Sequence, residues 1–336
     1  MTKIPFAISQ FIRLGLLLLI CVSCGGSSEP TSPDNPPFKN GMRLAGSLDM
    51  TCTEDIVLHG NYIYVADGPG GLKVVDASDH NNPRIVKTIE SVYAVRLYIY
   101  SGYLYMCDGS GGTRVYSIAD PENPTLTFQG GADFADSMAF KDDILYVGNY
   151  YAGFRMYNVK DPAHPVFIKD VKVSRVRDIT FQGKYMLVSD NPFGVAIYQL
   201  MGDQNPVCVY TNPSLLANRE DILAVREYII IGRNDESSRI CVFKMKGPTD
   251  VNLETEIWPA KFVESLTLSG DYLVASLGEQ GIGIYSLAKL PALELALKFD
   301  TAGYDRRAYM IGDSIYACDM SKLLIYDLYS LGGDSE

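Results

Sequence analysis

Three histidines in a chain of 336 residues leave little scope for imidazole chemistry. A nucleophile activated by a base needs a Ser or Cys held beside a His, yet His59, His80 and His164 all sit among turn residues of separate segments. They predict turns at one end of a fold rather than a triad or a metal centre. Cysteine is no more suggestive. No pair among the seven has C-x-x-C or another metal spacing, and Cys52, Cys107, Cys208, Cys241 and Cys318 read as mostly small buried side chains. Neither a metal nor a cofactor is expected.

Two stretches, "DGPGG" (Asp67–Gly71) and "DGSGG" (Asp108–Gly112), invite sharper chemistry. A Gly-rich phosphate cradle requires a following helix whose N-terminus faces the anion, and here an apolar, strand-like run follows. A calcium loop requires several acidic or amide oxygens at alternating positions, and each stretch has one Asp. Tight hairpin turns, which need Asp and Gly at left-handed backbone positions, account for both.

Charged residues give the one constellation that survives. At seven regular places the chain reads Glu54-Asp55, Val95-Arg96, Asp136-Ser137, Arg177-Asp178, Glu220-Asp221, Glu264-Ser265 and Arg306-Arg307, with at least one charge at each and mixed signs. Gathered around an opening, these charges would either neutralise one another as a girdle or hold a polar ligand through Arg and carboxylate contacts. The candidate ligand set is therefore Glu54, Asp55, Arg96, Asp136, Arg177, Asp178, Glu220, Asp221, Glu264, Arg306 and Arg307. Arg96, Arg177, Arg306 and Arg307 would take an anionic or polyhydroxy group.

What places those pairs regularly is a repeat. "YIYVADGPGGLKVVDASDHNNP" from Tyr62 returns as "YLYMCDGSGGTRVYSIADPENP" from Tyr103, and the residue ending the first apolar run recurs as Asp67, Asp108, Asn149, Asp190, Arg233, Leu277 and Asp319. Seven units thus fill the chain from about residue 41 to its end. Each unit holds four short runs rich in Val, Ile and Tyr, separated by Gly, Asp, Asn and Pro, which predicts four antiparallel strands. The column Val75, Tyr116, Tyr157, Tyr198, Phe243, Tyr285 and Tyr326 lies in a strand apolar on both faces, so it is expected to be core between units rather than an aromatic platform. Ala66, Cys107, Gly148, Ser189, Gly232, Ser276 and Cys318 are small at one position, which predicts close packing there. The fold class is all-β, a seven-bladed β-propeller of four-stranded antiparallel blades. The seventh unit stops short of a fourth strand, and "MRLAGSLDM" (Met42–Met50) is expected to supply it and close the ring.

The units resemble the LVIVD-repeat family of bacterial propellers. "GLKVVDASDHNNP", "RVYSIADPENP" and "RMYNVKDPAHP" carry the likeness, the fourth unit keeps "MGDQNP", and units five and six replace the turn with "KGPTDV" and "AKLPAL". The resemblance implies an exported propeller and no particular activity. Units five and six also carry the long departures "TNPSLLANRED", "GRNDESSR" and "WPAKFVES". The last contains Trp258, the sole tryptophan, a candidate partner anchor.

The N-terminus is a separate matter. Lys3 and Arg13 precede the apolar run "LGLLLLICVSC", which reads as a secretory leader over residues 1–23. Cys24 and the polar "GGSSEPTSPDNPPFKN" after it resemble a bacterial lipoprotein signal, which makes Cys24 a lipidated first residue, residues 24–41 a tether and 42–336 the propeller. Loss of the leader removes two cations and no acid, taking the net charge from -11 to -13. Nucleic acid is disfavoured as a partner, because phosphate binding needs clustered Lys and Arg. The sequence thus predicts a lipid-anchored protein of the bacterial outer membrane, acting as a non-enzymatic binding or scaffolding module for an envelope protein or a surface glycan. The competing reading is an enzyme, or a small-molecule or carbohydrate-binding protein, working at the charged opening.

Overall fold

A computed structural model describes residues 40–131, 134–190, 194–201, 205–213, 215, 221–233 and 238–330. The leader, Cys24, most of the tether and Glu220 lie outside the described residues.

Period-2 alternation of Val, Ile and Tyr between Gly, Asp and Pro turns yields seven four-stranded antiparallel sheets. Blade 1 is Asp55–His59, Tyr62–Ala66, Leu72–Asp76 and Arg84–Ile89; blade 2 is Arg96–Tyr100, Tyr103–Cys107, Thr113–Ser117 and Thr125–Gly130. Blade 3 is Ala135–Lys141, Ile144–Asn149, Gly153–Asn158 and Val166–Val171; blade 4 is Val176–Gln182, Tyr185–Asp190, Gly194–Met201 and Asn205–Asn212. Blade 5 is Ile222–Val225, Tyr228–Arg233, Arg239–Gly247 and Asp250–Ile257; blade 6 is Ser265–Ser269, Tyr272–Ser276, Ile282–Ser286 and Glu294–Phe299. In each, the first strand in the chain is innermost and the fourth is outermost.

Blade 7 is composite. Its inner strands are Asp305–Ile311, Ser314–Asp319 and Lys322–Ser330, and its outermost is Asn40–Asp49, which pairs with Lys322–Ser330. The expected closure by the N-terminal segment is thus realised, beginning two residues earlier than the sequence suggested.

The core lies in the seams between blades. Tyr64, Leu72 and Val74 of blade 1 pack with Leu97, Leu104, Met106 and Tyr116 of blade 2. Ile56, Ile63 and Val75 close the last seam against Tyr316, Leu323 and Ile325 of blade 7. The repeated aromatic column is buried throughout, from Val75 at 0% to Tyr326 at 6% exposure, each such side chain contributing about 1.5–3 kcal/mol of burial. The small-residue column has the predicted cause. A Cβ on Gly148 would lie 2.8 Å from Val176 of blade 4, and one on Gly232 would lie 2.9 Å from Val263 at the entry to blade 6.

Polar fasteners cross the seams at both ends. On the end away from the charged pairs, Tyr64 Oη donates to the Pro121 carbonyl of the next blade (2.8 Å) and Tyr105 Oη to that of Pro162 (2.5 Å). Tyr316 of blade 7 meets His80 Nε2 of blade 1 at 3.2 Å, and His80 Nδ1 lies 2.7 Å from Asp327. The Pro-terminated turns are therefore acceptors for the preceding blade as well as punctuation. His164 pairs with Asp161 within its own turn, so His80 and His164 serve separate structural contacts.

Candidate functional site

The repeated aspartates and glycines fasten the opposite end. Asp67, fully buried, accepts from the backbone N–H groups of Thr51 and Cys52 at 2.8 Å, the loop that enters its own blade. Asp108 accepts likewise from Tyr93 N–H, and Asp319 from Tyr304 N–H, both at 2.8 Å. Gly68, at φ +50°, bridges to Ala94 of the next blade through two backbone hydrogen bonds of 3.0 and 3.2 Å. Gly109 does the same to Ala135, and Gly278 to Asp305. Gly70 is required for another reason: a Cβ there would lie 2.1 Å from Asp67 Oδ2. "DGPGG" is thus both the hairpin turn expected and an interblade fastener, the second role being invisible until the neighbouring blade is in place.

These fasteners hold the starts of the innermost strands together, and with them the charged pairs, which fall into two tiers. The deeper tier is Asp55, Arg96, Asp178, Asp221 and Arg307 with Ser137 and Ser265. It spans the channel. Arg307 Nη2 of blade 7 lies 2.9 and 3.0 Å from the two carboxylate oxygens of Asp221 at the entry to blade 5, and Arg96 Nη2 of blade 2 lies 3.1 Å from Asp221 Oδ1. Arg307 Nε also lies 3.6 Å from Asp55 of blade 1. Blades 2, 5 and 7 are not neighbours of one another except around the ring, so side chains meet across the opening.

The aspartates of this tier have a second task. Asp55 Oδ2 accepts from Leu97 N–H of the next blade (2.9 Å), Asp178 Oδ2 from Ile222 N–H (2.9 Å) and Asp221 Oδ2 from Leu266 N–H (2.8 Å). At the equivalent place Met138 N–H donates to Tyr98 Oη at 3.1 Å. One column of buried backbone donors is therefore satisfied by the side chains of the preceding blade.

Burial and charge set the protonation of this tier. Burial drives the carboxyl of Asp221 up, but the guanidiniums of Arg307 and Arg96 bring it below the usual range. Asp178 rises through burial and the proximity of Asp221. Asp55 also rises, through burial that Arg307 and Arg96 only partly offset. Three carboxyls against two guanidiniums leave one acid in excess, and a proton answers it more cheaply than a buried uncompensated charge.

The outer tier is paired as well. Arg306 Nη1 lies 2.5 Å from Glu54, which also accepts from Tyr93 Oη at 2.8 Å. Arg177 Nη1 lies 3.4 Å from Asp136 and its guanidinium stands 4.3 Å from the Tyr150 ring centre. Glu264 accepts from Tyr304 Oη at 2.6 Å. The candidate ligand residues among the described ones are thus brought together, most of them in ion pairs, with Asp178 on a backbone N–H and Glu264 on a tyrosine hydroxyl. Arg177 and Arg306, though in the same tier, serve different seams.

Asp305 is a residue that the sequence reading passed over. It is fully buried, and burial pushes its carboxyl well up, an effect that the neighbouring Ser276 hydroxyl only partly offsets. Its alignment with Ala94 and Ala135, both alanine, is the signal that would have marked it. Cys107, Cys241 and Cys318 are buried as expected, whereas Cys208 is exposed on an outermost strand, and no disulfide joins any of the five described cysteines. Trp258 is 59% exposed, on the same end as the charged mouth. Among the described residues no group of three or more His, Cys, Asp and Glu is placed to hold a metal ion.

Solved structures similar in fold include a β-propeller of another kind. The WD40 β-propeller domain of Doa1 superposes with a TM-score of 0.66 at 14% identity, over 86% of this chain and 97% of that one. A chain of the mitotic checkpoint complex gives 0.63 at 13%, over 95% and 100%. The computationally designed Ika8 protein gives 0.60 at 11%, over 85% and 100%. Identities this low speak for the fold alone. No curated protein matches the chain. Residues 52–90, which span blade 1 and its entry loop, match the model of the LVIVD repeat, so this seven-bladed propeller carries in its first blade a repeat of the kind its sequence resembles.

Proposed function

We propose that the protein is an exported, lipid-anchored propeller of the bacterial outer membrane that serves as a rigid, non-enzymatic scaffold for an envelope protein. The observation that carries this reading is the crossing of the mouth by Arg307, Arg96 and Asp221. The groups best suited to seize a small polar ligand are engaged with one another, 4–8% exposed in the case of Asp221 and Arg307. Binding then falls to the rim, where Trp258 offers an amphipathic anchor of the type enriched at interface centres. A small-molecule or enzymatic role at the mouth would first have to break these pairs, at several kcal/mol.

The test is affinity capture of the lipidated protein from its native envelope in mild detergent, with wild type and Trp258→Ala compared by mass spectrometry. A stoichiometric protein partner that is depleted in the variant is the expected result. Recovery of the wild type alone would overturn the scaffold reading. The anchor is tested separately: Cys24→Ser is expected to move the protein from the membrane to the soluble fraction.

A further inference from the structure

Blade 7 departs from its neighbours at one residue. The second strand of the first six blades opens in turn on Tyr62, Tyr103, Ile144, Tyr185, Tyr228 and Tyr272, but that of blade 7 opens on Ser314. Each of the first six side chains packs against the apolar core of the seam to the following blade. Ser314 has no ring to give. It lines a cavity of about 510 Å³, open to solvent, together with Arg43, Asp313, Asp327 and Leu328. The cavity lies at the end away from the charged mouth, beside the strand that closes the ring.

Two charged groups of this cavity have capacity to spare. In blade 1, Arg84 on the outermost strand clasps Asp76 with two donors, Nε at 3.1 Å and Nη2 at 2.7 Å. Arg43 holds the equivalent place in blade 7, opposite Asp327. There the carboxylate is shared. Asp327 Oδ1 meets His80 Nδ1 at 2.7 Å and accepts from Ser314 Oγ at 3.3 Å, while Arg43 reaches Oδ2 through Nη2 alone, at 3.2 Å. Arg43 is 55% exposed, and its Nε and Nη1 have no acceptor among the described residues. Asp313, exposed at the turn, is engaged only through its backbone carbonyl, which accepts from Leu328 N–H at 2.8 Å. A space left by a missing ring, flanked by a guanidinium with free donors and an unpaired carboxylate, suits a small zwitterion with an aromatic side chain, and its volume is within the range of small-molecule sites.

We propose that this cavity binds a free aromatic α-amino acid, with its carboxylate on Arg43, its ammonium on Asp313 and its ring beside Ser314 and Leu328. The site stands apart from the protein-partner reading, since Trp258 lies at the other end of the ring, and failure of one leaves the other unaffected. Calorimetric titration of the purified full chain in mild detergent with L-phenylalanine tests it, using L-alanine, which lacks the ring, and 3-phenylpropionate, which lacks the ammonium, as controls. Ser314→Tyr restores the ring that most other blades carry and fills the space. Arg43→Gln and Asp313→Asn each remove one charge at an exposed position, and an unchanged thermal melt certifies their fold. Saturable binding of L-phenylalanine below about 10 mM is the expected result, lost in Ser314→Tyr, weakened roughly tenfold or more by each charge variant, and weaker by a similar factor for both controls. If Ser314→Tyr does not fold, the two charge variants decide. Absence of saturable binding up to about 10 mM overturns the proposal. So does binding that the charge variants or a folded Ser314→Tyr leave intact, or equal binding of either control.

Discussion

Asp305 stands where the equivalent bridging positions in blades 2 and 3 carry Ala94 and Ala135. A buried carboxyl that the Ser276 hydroxyl compensates only in part raises the free energy of the folded state, and its raised pKa states the same fact in another form. The folded state holds this proton to higher pH than the unfolded chain does. Its stability therefore falls as pH climbs from about 4 through the raised value. Asp305→Ala is expected to stabilise the protein by about 1–3 kcal/mol near pH 8 and to have little effect near pH 4, as read from urea midpoints at the two pH values. A loss of stability at the higher pH would contradict this. Asp178 follows the same sign. With its carboxyl raised to about 7, Asp178→Asn is expected to flatten the fall in stability between about pH 4 and 7. Asp221 has the opposite sign. Held low by Arg307 and Arg96, it adds stability that disappears only as pH drops below the ordinary carboxylate range.

The strand Asn40–Asp49 carries the closure of the ring, because the last blade is complete only when the first strand in the chain joins it. His80 reinforces the same seam by reaching from blade 1 to Asp327 and Tyr316 of blade 7. Replacing His80 with Ala leaves the Tyr316 hydroxyl without this partner and Asp327 without one donor, at about 1–3 kcal/mol. Amide exchange is expected to quicken first in blades 7 and 1. Uniform acceleration in every blade would mean that this seam is no weaker than the rest. At this scale the sequence was most legible. Four runs per unit, the Tyr column and the small-residue column follow from alternation and spacing, which local chemistry fixes. The partners of Asp67, Gly68 and Pro121 were not legible, because each fastens to a loop or blade whose position depends on the ring being closed. Ser314 and Asp305 announced themselves only as departures from a column.

Across the whole molecule, the ring is held by apolar seams, by backbone and tyrosine fasteners at its two ends, and by a lattice of charge over one mouth. The sequence identified the residues of that lattice and left two arrangements open, a girdle or a ligand clamp. Spacing cannot distinguish them, since both need the same residue types at the same places. The crossing of Arg307 and Arg96 onto Asp221 is what supports the girdle in the function proposed above. Arg307→Met, which keeps an unbranched apolar stem and removes the guanidinium, is expected to destabilise the protein by about 3–5 kcal/mol, because Asp221 and Asp55 stay buried. The most direct test of the clasp is a double-mutant cycle joining Arg307→Met and Asp221→Asn, measured by urea unfolding at neutral pH. A coupling of about 2 kcal/mol or more is expected, the double variant being far less damaged than the two single losses combined. Losses that simply add would show that the two side chains do not hold each other, and the mouth would return to being a place where a ligand binds.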